Sequence, residues 1–212
     1  MNLSAPRPAR AVVAAFAVAL LVGACTVAGG STPSPVASGA PAGACPTAQP
    51  EPLAAGETRV VTIETEHGSM ELTLEADLSP IAVGNFVALA SCGYYDGVVF
   101  HRVVPGFVIQ GGDPTGTGTG GPGYEIQDEP VTATYGRGTV AMARTPQPNS
   151  VGSQFFIVLD DKARGALESA NTYQIIGTVT TGMETADAIA AAADRENPSD
   201  PVEMTDVRVT TP

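Results

Sequence analysis

The stretch Phe100-His101-Arg102-Val103-Val104-Pro105-Gly106-Phe107-Val108-Ile109-Gln110-Gly111-Gly112-Asp113 carries one guanidinium inside a strongly apolar run. Burying an unpaired charge is costly. Arg102 therefore either sits at a strand end with its head in water, or stands at the rim of an apolar pocket as a permanently charged hydrogen-bond donor. In the second reading Phe107 is a wall of the pocket and Gln110 an orienting partner. The spacing from 102 to 110 is even, but Pro105-Gly106 interrupts the run, so periodicity leaves both readings open.

Two other patterns imitate catalytic motifs. Gly116, Gly118 and Gly121 satisfy the spacing of a dinucleotide fingerprint, yet Pro122-Gly123 stands where a helix should begin, and no Lys-Ser/Thr pair follows for a phosphate loop. A mobile glycine loop is expected there. Ser153 lies in Val151-Gly152-Ser153-Gln154-Phe155, which lacks the second glycine of a nucleophile elbow. His101 has no spacing relation that would make it the base of that serine. Two histidines and three scattered cysteines also fall short of a zinc site.

The frame that would position Arg102 is a chain of short β segments. From about Glu57 onward one domain of about 155 residues shows no internal repeat. Arg59–Thr65 and Ser69–Glu75 alternate apolar and polar around a Glu66-His67-Gly68 turn, which predicts a hairpin. Ser79-Pro80 supplies an N-cap and a first-turn proline for a helix with apolar residues at 82, 83, 86, 87, 89 and 90. A second helix is expected at Met183–Ala193. Between and after the helices come Val98–Val104, Phe107–Gln110, Thr139–Ala143, Gln154–Leu159, Tyr173–Val179 and Val202–Thr210. Many short strands with Gly/Pro turns and two helices suggest a mainly β fold, a closed barrel with helical caps.

The run FHR-x-x-P-GF-x-x-QGGD resembles a signature of the cyclophilin family of peptidyl-prolyl cis–trans isomerases. Ala141-Met142-Ala143-Arg144 with Gly152-Ser153-Gln154-Phe155-Phe156-Ile157 is similar to the second signature. Asn85-Phe86, Gly93-Tyr94-Tyr95-Asp96-Gly97 and Asp128-Glu129 agree further. The likeness runs from about Arg59 to Val209 and implies an eight-stranded antiparallel barrel, closed and capped by two helices, with its groove outside. It puts the catalytic arginine at Arg102 and the proline-ring pocket at Phe107, Val108 and Phe156, with Gln110 and Gln154 as polar contacts. Ala143 and Arg144 fall at positions that meet substrate backbone, as an added strand would. His101 falls beside the arginine, in a packing and hydrogen-bonding role rather than proton transfer. Many members carry a Trp and a His before the strand at Tyr173–Gly177. Here Trp is absent, Tyr173 stands at the His position and Leu167 is the candidate for the far wall, so weak cyclosporin binding is implied.

The chemistry so implied needs no cofactor, metal, base or nucleophile. Rotating an X–Pro amide costs its resonance, a barrier of about 18–20 kcal/mol. As the bond twists, nitrogen becomes pyramidal and gains a lone pair that an Arg102 N–H can meet. The twisted amide is less polar than the planar one, so an apolar wall favours it. A 10⁵-fold acceleration requires about 7 kcal/mol. One preorganised donor supplies about 3–4 kcal/mol, so Phe107 and Phe156 must contribute the rest by excluding water, with backbone contacts holding the carbonyl side.

The N-terminus reads as an address. Arg7 and Arg10 precede the uncharged run Ala11–Ala24, about 14 residues against the roughly 20 of a spanning helix. Leu21-Val22-Gly23-Ala24-Cys25 resembles a bacterial lipobox, which implies cleavage of residues 1–24 and lipidation of Cys25, with palmitate among the acyl groups expected. Residues 25–56 hold six prolines and one charge, Glu51, and are expected as a disordered tether. Outside the cytoplasm Cys45 and Cys92 could pair; the alternative is a buried thiol at 92 and a free one in the tether.

The chain of 212 residues carries 10 basic against 22 acidic groups, net −12, and loss of Arg7 and Arg10 makes that −14. Such a surface is unsuited to nucleic acid and repelled by anionic headgroups. Lipid rather than charge would hold it to the outer face of the cytoplasmic membrane. The reading is thus a lipid-anchored monomeric prolyl isomerase that acts on proline-containing polypeptides and aids the folding of secreted or envelope proteins. The alternatives are a non-catalytic module that binds proline peptides, favoured by the altered Gly165–Tyr173 wall, and a surface antigen.

Overall fold

In Thr58–Thr65 (β1) and Gly68–Glu75 (β2) burial follows the two-residue period, with Val61 and Ile63 inward on one strand and Met70, Leu72 and Leu74 on the other. The computed structural model describes residues 43–211. After the hairpin come Pro80–Ser91 (α1), Arg102–Val104 (β3), Val108–Gly111 (β4), Thr139–Met142 (β5) and Phe155–Val158 (β6). Arg164–Ala170 (α2), Ile175–Thr181 (β7), Met183–Ala192 (α3) and Asp206–Thr210 (β8) complete the chain. Every strand pair is antiparallel, in the order β3-β4-β6-β5-β7-β2-β1-β8.

The curled sheet is open, where the sequence suggested a closed barrel. Its end strands β3 and β8 do not pair. The donors a closing ladder would use are taken by other groups. Val103 N donates to Glu196 O at 2.7 Å, and Val207 N donates to the Asp96 carboxylate at 2.9 Å. The gap is spanned instead by irregular chain, where Phe100 N donates to Val202 O and Met204 N to Val98 O, both at 2.9 Å.

Two apolar clusters result. Inside the curl Phe86 of α1 stacks on Tyr95 at 4.9 Å and meets Phe155 edge-on at 5.1 Å, with Ile189 of α3 and the inward residues of β1 and β2 around them. On the other face of β4, β5, β6 and β7 lie Val108, Ala141, Phe156, Val158 and Ile175, covered by Leu167 and Ala163. With both faces covered, β5 and β6 are buried at every position, which explains their unbroken apolar runs. The seven-residue α2 that brings Leu167 there is a third helix, preceded by a 3₁₀ turn at Asp161–Ala163, where the sequence suggested two helices in all.

α1 begins at Pro80 as expected, but Ser79 does not cap it, and its buried Oγ has no partner. Glu129 does so from 48 residues away, accepting from Ile81 N at 2.8 Å and Ala82 N at 2.9 Å. The segment before β1 is also more ordered than its composition implied. Cys45 is disulfide-bonded to Cys92, Gln49 Oε1 accepts from Gln127 N at 2.9 Å, and Leu53 N donates to Pro80 O at 3.0 Å. Gly84 permits this contact, since a Cβ there would lie 2.5 Å from Glu51 O. The proposed signal, Cys25 and tether residues 26–42 lie outside the described residues.

Candidate active site

The β3–β4 register answers what periodicity left open. Arg102 pairs with Gln110, Gln110 with Phe156 on β6, and Phe156 with Ala141 on β5. A cation, an amide and a phenyl ring thus stand in a row across three neighbouring strands, on the face of the second apolar cluster. The turn that allows it closes through Phe107 N donating to Val104 O at 2.9 Å.

A pocket of about 190 Å³ opens beside this row. Arg102 and Gln110 line its polar side, Phe107, Val108 and Phe156 its apolar side, and Ala143, Arg144, Leu167 and Tyr173 the remainder. Phe156 is 4% exposed, and Tyr173 meets it edge-on at 5.4 Å. Leu167, reached through α2, is 3% exposed and closes the far side. A larger cleft of about 670 Å³ adjoins it between Gly118–Glu125 and Ala143–Thr145, sharing Gln110, Ala143 and Arg144 and holding Gln154.

Hydrogen bonds fix the polar side. Gln154 Nε2 donates to Gly118 O at 3.1 Å and Gly120 O at 2.9 Å. Its Oε1 accepts from Gln110 Nε2 at 3.0 Å, which turns Gln110 Oε1 toward Arg102 Nη1 at 3.5 Å. Arg102 Nε donates to Glu196 Oε1 at 2.8 Å. Arg144 Nη1 pairs with Asp128 at 3.0 Å and Nη2 donates to Gln147 O at 2.7 Å, so its charge is already engaged.

The glycine loop is built on Asp113, which is 1% exposed. Its carboxylate accepts from Thr115 N at 2.7 Å, Gly118 N at 2.6 Å and Gly120 N at 3.0 Å, and from the Thr115 hydroxyl at 2.8 Å. Burial alone would push its pKa up, but these donors prevail and hold it at about 2. A Cβ at Gly120 would lie 2.0 Å from Asp113 Oδ1, so only glycine fits there.

His101 and Ser153 stand apart from the pocket. His101 is 5% exposed behind Gly118, with Nδ1 unpaired; burial lowers its pKa against the pull of Asp113, and Arg102 lowers it further. It is thus neutral at pH 7 and has no face on the pocket, unlike its sequence neighbour. Ser153 is fully buried, donates from Oγ to Gly112 O at 2.7 Å and meets Tyr94 OH at 3.1 Å, so it is no free nucleophile. No cluster of three or more potential metal ligands occurs among the described residues. Glu196 and Asp113 escaped the sequence reading; Asp113 closes the first motif, while Glu196 is 94 residues from Arg102 and carries no local signal.

Residues 60–209 match the family described as cyclophilin type peptidyl-prolyl cis-trans isomerase/CLD. A putative bifunctional phosphatase/peptidyl-prolyl cis-trans isomerase of Streptococcus pyogenes is 53% identical over 106 residues, 48% of this chain and 22% of that protein. A peptidyl-prolyl cis-trans isomerase of Synechococcus elongatus is 52% identical over 99 residues, 45% of this chain and 65% of that one. The chain thus spans about a fifth of the first relative and under two thirds of the second. A crystal structure of a cyclophilin type isomerase from Cryptosporidium parvum superposes with TM-score 0.65 at 34% identity, covering 73% of this chain and 99% of that one. The same protein was also solved in the presence of the dipeptide Ala-Pro, with TM-score 0.64.

Proposed function

Because this chain belongs to the cyclophilin-type peptidyl-prolyl cis-trans isomerase family, we propose that it accelerates rotation about X–Pro bonds at the Arg102 pocket. The row Arg102, Gln110, Phe156 carries this reading. A proline ring seated on Phe156 and Phe107 loses its water, and the Arg102 guanidinium lies at the pocket's polar side to meet the nitrogen lone pair as it forms. The Gln154–Gln110 contact holds the amide that faces Arg102, so the donor needs little reorganisation at the moment of rotation. The relative solved with Ala-Pro supports an X–Pro ligand class.

The proposal extends to place and partners. Leu21–Cys25 as a lipobox supports diacylation at Cys25 and attachment to the outer face of the cytoplasmic membrane, where secreted and envelope polypeptides refold. The Cys45–Cys92 bond suits an oxidising compartment outside the cytoplasm. Exchange NMR on X–Pro peptides with the purified full chain tests the activity: enhanced cis–trans exchange is expected, and binding without exchange would favour the peptide-holding module. Detergent-phase partition that disappears in Cys25→Ala is expected for the anchor. Aqueous partition of the wild type would refute it.

A further inference from the structure

Arg102 lies on β3, an end strand of the open sheet, where a long side chain has several rotamers available. One loop removes that freedom. Between α3 and β8 the Glu196 carbonyl accepts from Val103 N at 2.7 Å, and Asn197 Nδ2 donates to His101 O at 3.3 Å. These contacts bracket Arg102 in the backbone. Between them the Glu196 carboxylate accepts from Arg102 Nε at 2.8 Å. The loop's own turn is tied by Asp194, which accepts from Ser199 N at 3.0 Å and Ser199 Oγ at 2.6 Å.

A guanidinium has five N–H bonds in a fixed plane. Glu196 engages the one on Nε, and Gln110 Oε1 stands near Nη1 at 3.5 Å. Two anchors on a planar group set the direction of the remaining Nη donors, and Arg102 lines the pocket while Glu196 does not. The pair is partly exposed, 33% for Arg102 and 58% for Glu196, so it adds little to folding stability. The geometry points to Glu196 as a positioning residue for the isomerase reaction, holding Arg102 by Nε so that its Nη donors face the twisting amide. This inference rests on the isomerase reading.

The test uses the full chain and separates the two claims. Glu196→Ala should lower kcat about tenfold with KM little changed, since misplacing a catalytic donor costs rate rather than binding. Its melting temperature should stay within about 2 °C of wild type, as for a partly exposed pair. Glu196→Gln keeps an oxygen for Nε–H and should recover activity to within about threefold. In the Arg102→Ala background Glu196→Ala should cost nothing further, because it acts only through Arg102. Independently of turnover, the Arg102 Nε–H resonance, identified by its loss in Arg102→Ala, should exchange slowly in wild type and Glu196→Gln and rapidly in Glu196→Ala. Wild-type kcat in Glu196→Ala, or unchanged Nε–H exchange, would overturn the assignment. A protected Nε–H in a wild-type protein without turnover would sink the isomerase reading and the catalytic role of the contact together, leaving the contact itself.

Discussion

Replacing Cys45 and Cys92 together by serine unties the strap that precedes β1 from the end of α1. The bond spans a separation of 47 residues and encloses all of β1, β2 and α1. Closing a loop of about 48 residues removes about 4 kcal/mol of chain entropy from the unfolded state. Native contacts of the strap survive the substitution, because Leu53 N still reaches Pro80 O and Leu53 still packs on the core. The loss therefore falls mainly on the unfolded side. For a domain of this size each kcal/mol moves the midpoint by about 2–4 °C, so calorimetry should find the double variant melting about 8–15 °C lower. No residue of the strap lines the Arg102 pocket, so turnover at 10 °C should remain near wild type. Gly84→Ala tests the same strap with the sulfurs intact, since its Cβ would meet Glu51 O at 2.5 Å and overpacking costs about 1–3 kcal/mol. A double-serine variant that melts within 2 °C of wild type would refute the reasoning.

Asp113 titrates at about 2 against an ordinary 3.8. Its contribution is therefore complete above about pH 4 and lost as pH falls toward 2, worth about 2.5 kcal/mol in all. Asp113→Asn should cost about 2 kcal/mol at pH 7 and flatten the pH 4–2 limb of the acid denaturation curve. Tyr173→Ala removes the edge contact to Phe156 at 5.4 Å, worth about 0.5–1.5 kcal/mol, and should raise KM several-fold with a smaller change in kcat, read by steady-state kinetics.

Much of this fold is written in local periodicity. Alternation marks β1 and β2, and the Pro80 start with helical spacing marks α1. Closure of the sheet was not legible, because it depends on whether Val103 and Val207 find strand partners or the distant Glu196 and Asp96. The α2 helix was hidden by its length of seven residues and by Gly165 in its first turn. The pairing of Cys45 with Cys92 stood among the readings the sequence offered, but the seating of residues 49–53 did not, because proline and alanine content says nothing of the groove that Gly84 leaves open. Arg102, Phe107, Gln110 and Phe156 could be named from motif, yet their meeting on one face needed the register across Pro105-Gly106. Glu129 and Glu196 act across 48 and 94 residues, and such contacts leave no trace in a single sequence.

The central claim is that Arg102 accelerates the rotation and the pocket beside it receives the proline ring. It is tested most directly by exchange NMR on an X–Pro peptide with wild type and Arg102→Ala at matched concentration. Arg102 sits on the surface of an end strand and its ion pair is partly exposed, so the variant should keep its fold and its melting point. The account predicts turnover at least about 10²-fold lower in Arg102→Ala, as expected for loss of one preorganised charged donor. Wild-type turnover in that variant would contradict it.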